Sequence, residues 1–296
     1  MTRRAIDWID EVDGPFFLFV LTTDPHWPYS PPESFDRYRI AVPDRGNLGE
    51  PEYKFLLDMA ASQGRYYGEI ASNDASFGKL LEHLRSRGIY DDTCIVFTSD
   101  HGEHFGEHWQ RFHGTSLYQE SLRVPLILKR PNEVEAGRHI QTPVQLLDVF
   151  PTLLRSTGLD VPERLEAMAL PVDEPAVGRT FYAHLELDGF SGEVLLEFPW
   201  KLISPDTPRE GVHRFGGGLF EVERDPLEVT DRSATEPERT ASMRERLRRR
   251  AERNSPTATA YQQEAERPVE GELPDAEREA LEALGYLKAK EQEPVN

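Results

Sequence analysis

The stretch Cys94-Ile-Val-Phe-Thr-Ser-Asp-His-Gly-Glu-His-Phe-Gly-Glu-His108 decides the fold. Its first part, Cys94 to Thr98, is a short apolar run of the kind that forms a strand buried on both faces of a sheet. Ser99-Asp100-His101-Gly102 follows at once. In open α/β sheets, ligands bind beyond the carboxyl ends of the strands. Asp100 and His101 therefore stand where a carboxylate and an imidazole can reach one metal ion from adjacent positions. The plainer reading of Asp-His-Gly alone is a strand-end turn with an exposed histidine. The neighbourhood favours the chemical reading: His101, His104, His108 and His113, four of the chain's nine histidines, fall in one short loop with Glu103 and Glu107 between them. Not all four can bind one ion alongside Asp100, so some are expected to support the ligands or touch substrate.

Working outward, Phe16-Phe-Leu-Phe-Val-Leu-Thr22 is a second continuous apolar run and predicts another buried strand. The Pro-, Tyr- and Trp-rich segment from Thr23 to Pro51 is too long for a simple connection and reads as a functional loop. From about Tyr53 to Arg87, Tyr67, Ile70, Ala71, Phe77, Leu80, Leu81 and Leu84 recur at helical spacing, with Gly88 placed just past the helix end. Val124 to Leu128 is a third strand, and Asp148 can cap a helix that runs through Arg155 and closes at Gly158. This alternation predicts an α/β fold with a mostly parallel sheet and flanking helices.

After about Asp160 the pattern weakens. Phe181 to Ile203 reads as two short strands around a turn in a small C-terminal α+β subdomain. Arg244 to Arg253 is the solvated face of a helix, and Leu273 to Gly285 predicts a short docked helix. The expected division is residues 1–160 as part of a catalytic α/β unit, 161–240 as the small subdomain, and 241–296 as a charged helical tail.

Composition narrows the function. The net charge of −19 makes the chain a poor partner for nucleic-acid phosphates, which need clustered Lys and Arg. A bound cation can still reverse the field locally for an anionic substrate. With one cysteine, Cys94, no intrachain disulfide can form, which fits a reducing compartment without fixing one. The first residues have no apolar core of a signal peptide, and no apolar run is long enough to span a bilayer. The compartment is left open.

His26, in Asp24-Pro-His-Trp-Pro-Tyr29, emerges on the same sheet edge as Asp100 if the first two strands share a sheet; stacking on Trp27 or Tyr29 is the alternative. A rival pattern, His104-Phe-Gly-Glu-His108, matches the H-x-x-E-H of one metalloprotease class. That motif needs a helix, and Gly102 and Gly106 argue against one.

Three segments carry a resemblance to a known family. They are FFLFVLTTDPHWPYSPPESF; the long run RYYGEIASNDASFGKLLEHLRSRGIYDDTCIVFTSDHGEHFGEH, continued by FHGTSLYQESLRVPLILKRP; and VQLLDVFPTLLRSTGLDVP, with LFEVERDPLEVTD further on. Together they resemble the sulfatase branch of the alkaline phosphatase-like superfamily up to Asp231. The resemblance implies that Asp100 and His101 bind a divalent metal ion. It implies that His26 contacts the ester, and that His113 occupies the place where many sulfatases use a lysine on the ester oxygens. Calcium is the ion the family implies. Many sulfatases carry Asn where this chain has His101, and imidazole suits Mn²⁺ or Zn²⁺ better than Ca²⁺, so phosphate or phosphonate esters stand beside sulfate esters as candidate substrates. The family's nucleophile lies in a Cys/Ser-x-Pro-x-Arg motif preceded by two further metal-binding Asp residues. This sequence contains no such motif, and Cys94 reads as a buried apolar thiol. The expectation is an incomplete α/β unit, cut short or split, with a separate N-terminal half as a possible partner; a non-catalytic relative is the alternative.

Overall fold

Glycine decides how the long loop meets the long helix. α2 (Glu50–Ser86) carries Gly64 and Gly68 four residues apart. A Cβ on Gly64 would lie 2.7 Å from the carbonyl oxygen of Tyr38, and one on Gly68 would lie 2.8 Å from that of Phe35 and 2.8 Å from the Pro31 ring. The loop thus lies directly on the helix backbone, an approach that any side chain would block. The buried face of α2 is set by Met59, these glycines, Glu69 and Leu84, while Tyr67 and Ile70, expected on the apolar face, are exposed. The helix ends as expected at Gly88, with φ +70°. Ile89 N–H donates to the Leu84 carbonyl and Gly88 N–H to the Arg85 carbonyl, satisfying the last turn. α1 (Thr2–Glu11) buries Ala5 and Ile9, and its Asp10 accepts from His83 and Arg87 at the end of α2.

The computed structural model describes residues 2–42, 44–162, 165, 167–170, 178–187, 190–205 and 217–265. It has an α/β architecture of mixed helix and sheet. The strand at the centre of the sequence argument is present as β1 (Ile95–Thr98), and the third as β4 (Leu126–Lys129). They pair antiparallel, Ile95 opposite Lys129 and Thr98 opposite Leu126. Every ladder among the described residues is antiparallel, whereas a mostly parallel sheet was expected. The reason lies in the connections. A parallel neighbour needs a crossover element, and the long helix α2 joins β1 to the run 16–22. That run pairs with no strand among the described residues. Nor is it buried: Phe17 and Phe19 are about three-quarters exposed, at 75% and 76%, and Phe97 and Ile127 on β1 and β4 are exposed too. Phe97 still meets Phe77 of α2, with ring centroids 5.4 Å apart.

Between β1 and β4 the chain makes a small hairpin of β2 (His104–Phe105) and β3 (Arg111–Phe112), then the single turn α3 (Gln119–Leu122). α4 (Val149–Ser156) follows, closed by Gly158 at φ +75°. Asp148 is not its side-chain cap. It is fully buried, and its carboxylate accepts the Gln145 and Met168 N–H groups and both 2.8 Å contacts of the Arg179 guanidinium. That makes it an anchor between segments rather than a cap.

The C-terminal part is a four-stranded antiparallel sheet in sequence order: β5 (Phe181–Leu187), β6 (Phe190–Glu197), β7 (Trp200–Pro205) and β8 (Gly218–Glu221). The span from Phe181 to Ile203 holds three strands, not two, because Phe198-Pro199 makes a second tight turn, with Glu197 paired to Trp200 across it. Period-two alternation gives the sheet two apolar faces. Leu195, Leu202 and Leu219 pack under α5 (Pro237–Ala265) against Met243 and Leu247. Val194, Ile203 and Phe220 pack on Leu117 and Tyr118, just before α3. Arg246, Arg248 and Arg249 on α5 pair with Glu197, Glu245 and Glu252, a solvated charged face as expected. The helix expected over residues 273–285 lies outside the described residues. No helix among the described residues is long and apolar enough to cross a membrane.

Candidate active site

Asp100 and His101 leave the end of β1 together. Asp100 Oδ1 accepts the His101 backbone N–H at 2.9 Å, and Oδ2 lies 3.8 Å from His101 Nε2. His101 Nδ1 is 2.9 Å from the Gly102 carbonyl. A carbonyl can only accept, so Nδ1 carries the proton and Nε2 the lone pair, on the side of the Asp100 carboxylate. An imidazole pinned in this way through one nitrogen is ready to ligate through the other. This donor pair fits one side of a divalent cation site. Among the described residues no group of three His, Cys, Asp or Glu side chains is arranged to complete it.

The β2–β3 hairpin returns His113 to the same place. The His101 and His113 rings lie 4.1 Å apart between centroids, and His26 and His113 5.1 Å apart. The sequence-predicted residues thus converge: Asp100, His101, His26 and His113 share the edge beyond β1. Each is held by an identifiable contact. His26 Nδ1 donates to the Trp27 carbonyl at 2.6 Å. Its loop is tied to α2, where Glu69 accepts the Ser30 N–H at 2.5 Å and Asn73 donates to the Asp24 carbonyl. Burial pushes the Glu69 carboxyl up. His113 Nδ1 lies 3.1 Å from Glu103 Oε1, and the Tyr29 hydroxyl donates to Glu103 Oε2 at 2.7 Å. The bond to Glu103 raises the His113 pKa, against the opposing effect of burial. Burial and the adjacent Glu103 push the Tyr29 hydroxyl well above its usual range, so it stays a neutral donor.

The other two loop histidines face away from the site. His104 is fully buried; its Nε2 lies 2.6 Å from Ser116 Oγ and 3.0 Å from Ser121 Oγ. Burial lowers its pKa to about 4. His108 stacks on Tyr118, with centroids 3.6 Å apart and rings 4° from parallel. Gly106 at φ +113°, then His108, Trp109 and Phe112 at φ 50°, 59° and 58°, bend the chain too sharply for an α-helix, and only a single 3-10 turn forms over Glu107–Trp109. His104 and His108 therefore share no helix face, and the H-x-x-E-H reading is excluded. Cys94 is half-buried, and burial pushes its thiol up, as suits an unreactive side chain.

Behind the loop sits a connection that sequence reasoning missed. Lys201 on β7 and Glu228 form a buried ion pair, Nζ to Oε1 2.7 Å, and Glu228 Oε2 accepts the Gln119 N–H at 2.7 Å. Burial lowers the Lys201 pKa, opposed by Glu228. The signal was the Asp225-Pro-Leu-Glu228 turn, quoted as part of a resemblance but given no role. Gly102 completes the clamp: its N–H donates to the Ser121 carbonyl at 2.8 Å, and a Cβ there would lie 1.9 Å from the Glu120 carbonyl oxygen.

Comparison with known proteins places the chain as follows. The Sulfatase family model matches residues 1–159. Arylsulfatase K of Bos taurus is 29% identical over 296 residues, covering 83% of this chain and 54% of its own. An ulvan-active sulfatase of Formosa agariphila is 29% identical over 159 residues, 52% of this chain and 30% of its own. Among solved structures, the phosphonate monoester hydrolase of Agrobacterium radiobacter superposes with a TM-score of 0.65 at 24% identity, over 83% of this chain and 58% of that one, and so shares the fold. The chain spans about half the length of the curated relatives it matches.

Proposed function

The chain belongs to the sulfatase family, and from that premise we propose that it carries one side of a metal-dependent active site for hydrolysing sulfate esters. The nucleophile and two further metal-binding carboxylates would come from outside residues 1–296. The observation that carries this reading is the convergence of His26, His101 and His113 beside Asp100 at the end of β1.

Asp100 and His101, through Nε2, would hold the ion. When bound, a divalent cation neutralises ester oxygens and favours the anionic form of a nucleophile. His113 in its imidazolium form donates its Nε2 proton to the leaving oxygen as the ester bond breaks, while Nδ1–H stays on Glu103. His26, through Nε2, donates to an ester oxygen when protonated and fixes the anion's orientation. Residues 1–160 would form part of the catalytic unit, with 161–240 as its small subdomain and 241–296 as a charged tail.

A second reading rests on His101. An imidazole beside the Asp suits Mn²⁺ or Zn²⁺ over Ca²⁺, and with such an ion a phosphate or phosphonate ester becomes a substrate of the same site.

The experiment is made on the chain joined to the segment of a curated relative that carries Cys/Ser-x-Pro-x-Arg. Aryl sulfate hydrolysis is expected with added Ca²⁺ or Mn²⁺, and Asp100→Ala should remove activity and bound metal together. Full activity with full metal content in that variant would end the assignment. Residues 1–296 alone should show no turnover, because their sequence contains no Cys/Ser-x-Pro-x-Arg motif to supply the covalent nucleophile.

A further inference from the structure

We infer that Glu103 is a positioning residue that fixes His113 as the Nδ1–H tautomer and holds its ring against His101, with Tyr29 locking Glu103 in turn. The inference rests on the hydrolase reading for its purpose, since it states how that site presents one of its nitrogens. The geometry stands on its own.

The Glu103 side chain is 5% exposed, on a surface loop where a carboxylate would ordinarily be solvated. Both of its oxygens are engaged by groups on different parts of the chain. Oε1 lies 3.1 Å from His113 Nδ1, and Oε2 accepts the hydroxyl proton of Tyr29 at 2.7 Å. Tyr29 is itself 4% exposed, and its ring packs on Tyr66 and Phe105. The hydroxyl therefore has little freedom to turn away. A carboxylate accepts and does not donate, so the proton between Glu103 and His113 belongs on Nδ1. His113 Nε2 is left as the nitrogen that can meet a ligand.

The same rule repeats around the cluster. His26 Nδ1 is committed to the Trp27 carbonyl and His101 Nδ1 to the Gly102 carbonyl. The His26 and His101 rings, 5.1 and 4.1 Å from that of His113, and His113 itself all have Nδ1 bound to an acceptor, which for His26 and His101 is the backbone carbonyl of the next residue. Only His113 depends on a side chain for this. Its tautomer, unlike those of His26 and His101, can be changed by one substitution.

The test is ¹⁵N-detected NMR of the histidine rings in the full chain, at a pH where His113 is neutral, without metal or ester. In the wild type His113 should show the Nδ1–H pattern. Glu103→Ala should lose it, shifting the ring to the Nε2–H form or a mixture. Glu103→Gln should keep it, because the amide oxygen still accepts from Nδ1 and the amide N–H can donate to Tyr29. His104, buried on the opposite side of the loop, reports in the same spectra whether the loop is folded. An Nε2–H ring in the wild type would overturn the inference without any variant, as would an unchanged Nδ1–H ring in Glu103→Ala, or a Gln variant indistinguishable from Ala. Failure here would leave the hydrolase reading intact, since that reading is judged by the joint loss of activity and metal in Asp100→Ala.

Discussion

At the scale of single residues, the sequence announced the chemistry better than the supports of that chemistry. His26, Asp100, His101 and His113 were picked out by the histidine-rich loop after a strand and by their match to the family's segments, since spacing alone left His26 open between a site residue and a stacked loop histidine. Glu103, Glu69 and Tyr29 were not, because a carboxylate three residues past Asp100 reads as solvated until a fold buries it. His104 shows the same limit in reverse: counted with the metal-side histidines in sequence, it is a buried neutral ring bonded to two serines. Its burial has a measurable consequence. In the folded chain it stays neutral down to about pH 4, against 6.5 for an unperturbed histidine. Between those values the unfolded chain binds the extra proton, so the stability that neutral His104 contributes is present above the unfolded value and lost as pH falls toward 4. The loss should approach about 3 kcal/mol. Urea unfolding across this window should show a steeper fall for the wild type than for His104→Gln; parallel curves would contradict the buried-neutral assignment.

At the scale of elements, helices and turns were read more securely than sheet pairing. The 3.6-residue pattern and Gly88 fixed the end of α2, because both signals are local. The partner of β1 was not legible, because antiparallel and parallel neighbours look alike within a four-residue strand, and the choice is made by connections tens of residues long. Two glycines, Gly88 after α2 and Gly102 beside the site, separate local strain from close approach. Gly88 has φ +70° and open space around its Cβ position, so Gly88→Ala should cost about 1 kcal/mol through backbone conformation. Gly102→Ala would drive a Cβ to 1.9 Å from the Glu120 carbonyl, which is backbone and cannot rotate aside. Its cost should be about 3 kcal/mol, with the His101 loop displaced from α3. Chemical denaturation of the two variants ranks them, and equal costs would show that the loop is not clamped there.

At the scale of the whole molecule, the C-terminal sheet is a back-plate for the site. Its face of Val194, Ile203 and Phe220 carries Leu117 and Tyr118, and the Lys201–Glu228 pair holds the first N–H of α3. Elsewhere apolar surface is left open: Phe17, Phe19 and Ile127 are 75%, 76% and 61% exposed, and Phe97 is partly covered by Phe77. Residues 1–296 are therefore expected to self-associate, and Phe17→Ser with Phe19→Ser should raise the monomer fraction in sedimentation; a wild-type monomer at all concentrations would count against this face being built for burial. The central claim concerns the end of β1, where we propose that Asp100 and His101 form half of a cation site. Two ligands bind weakly, but a paramagnetic ion reports its own position even at low occupancy. Mn²⁺ added in small steps to the full chain should broaden the NMR signals of Asp100, His101 and Gly102 before those of other acidic surface groups. In Asp100→Ala that early broadening should disappear. Broadening that starts elsewhere, or that persists at His101 without the Asp100 carboxylate, would contradict the assignment of the metal site to the end of β1.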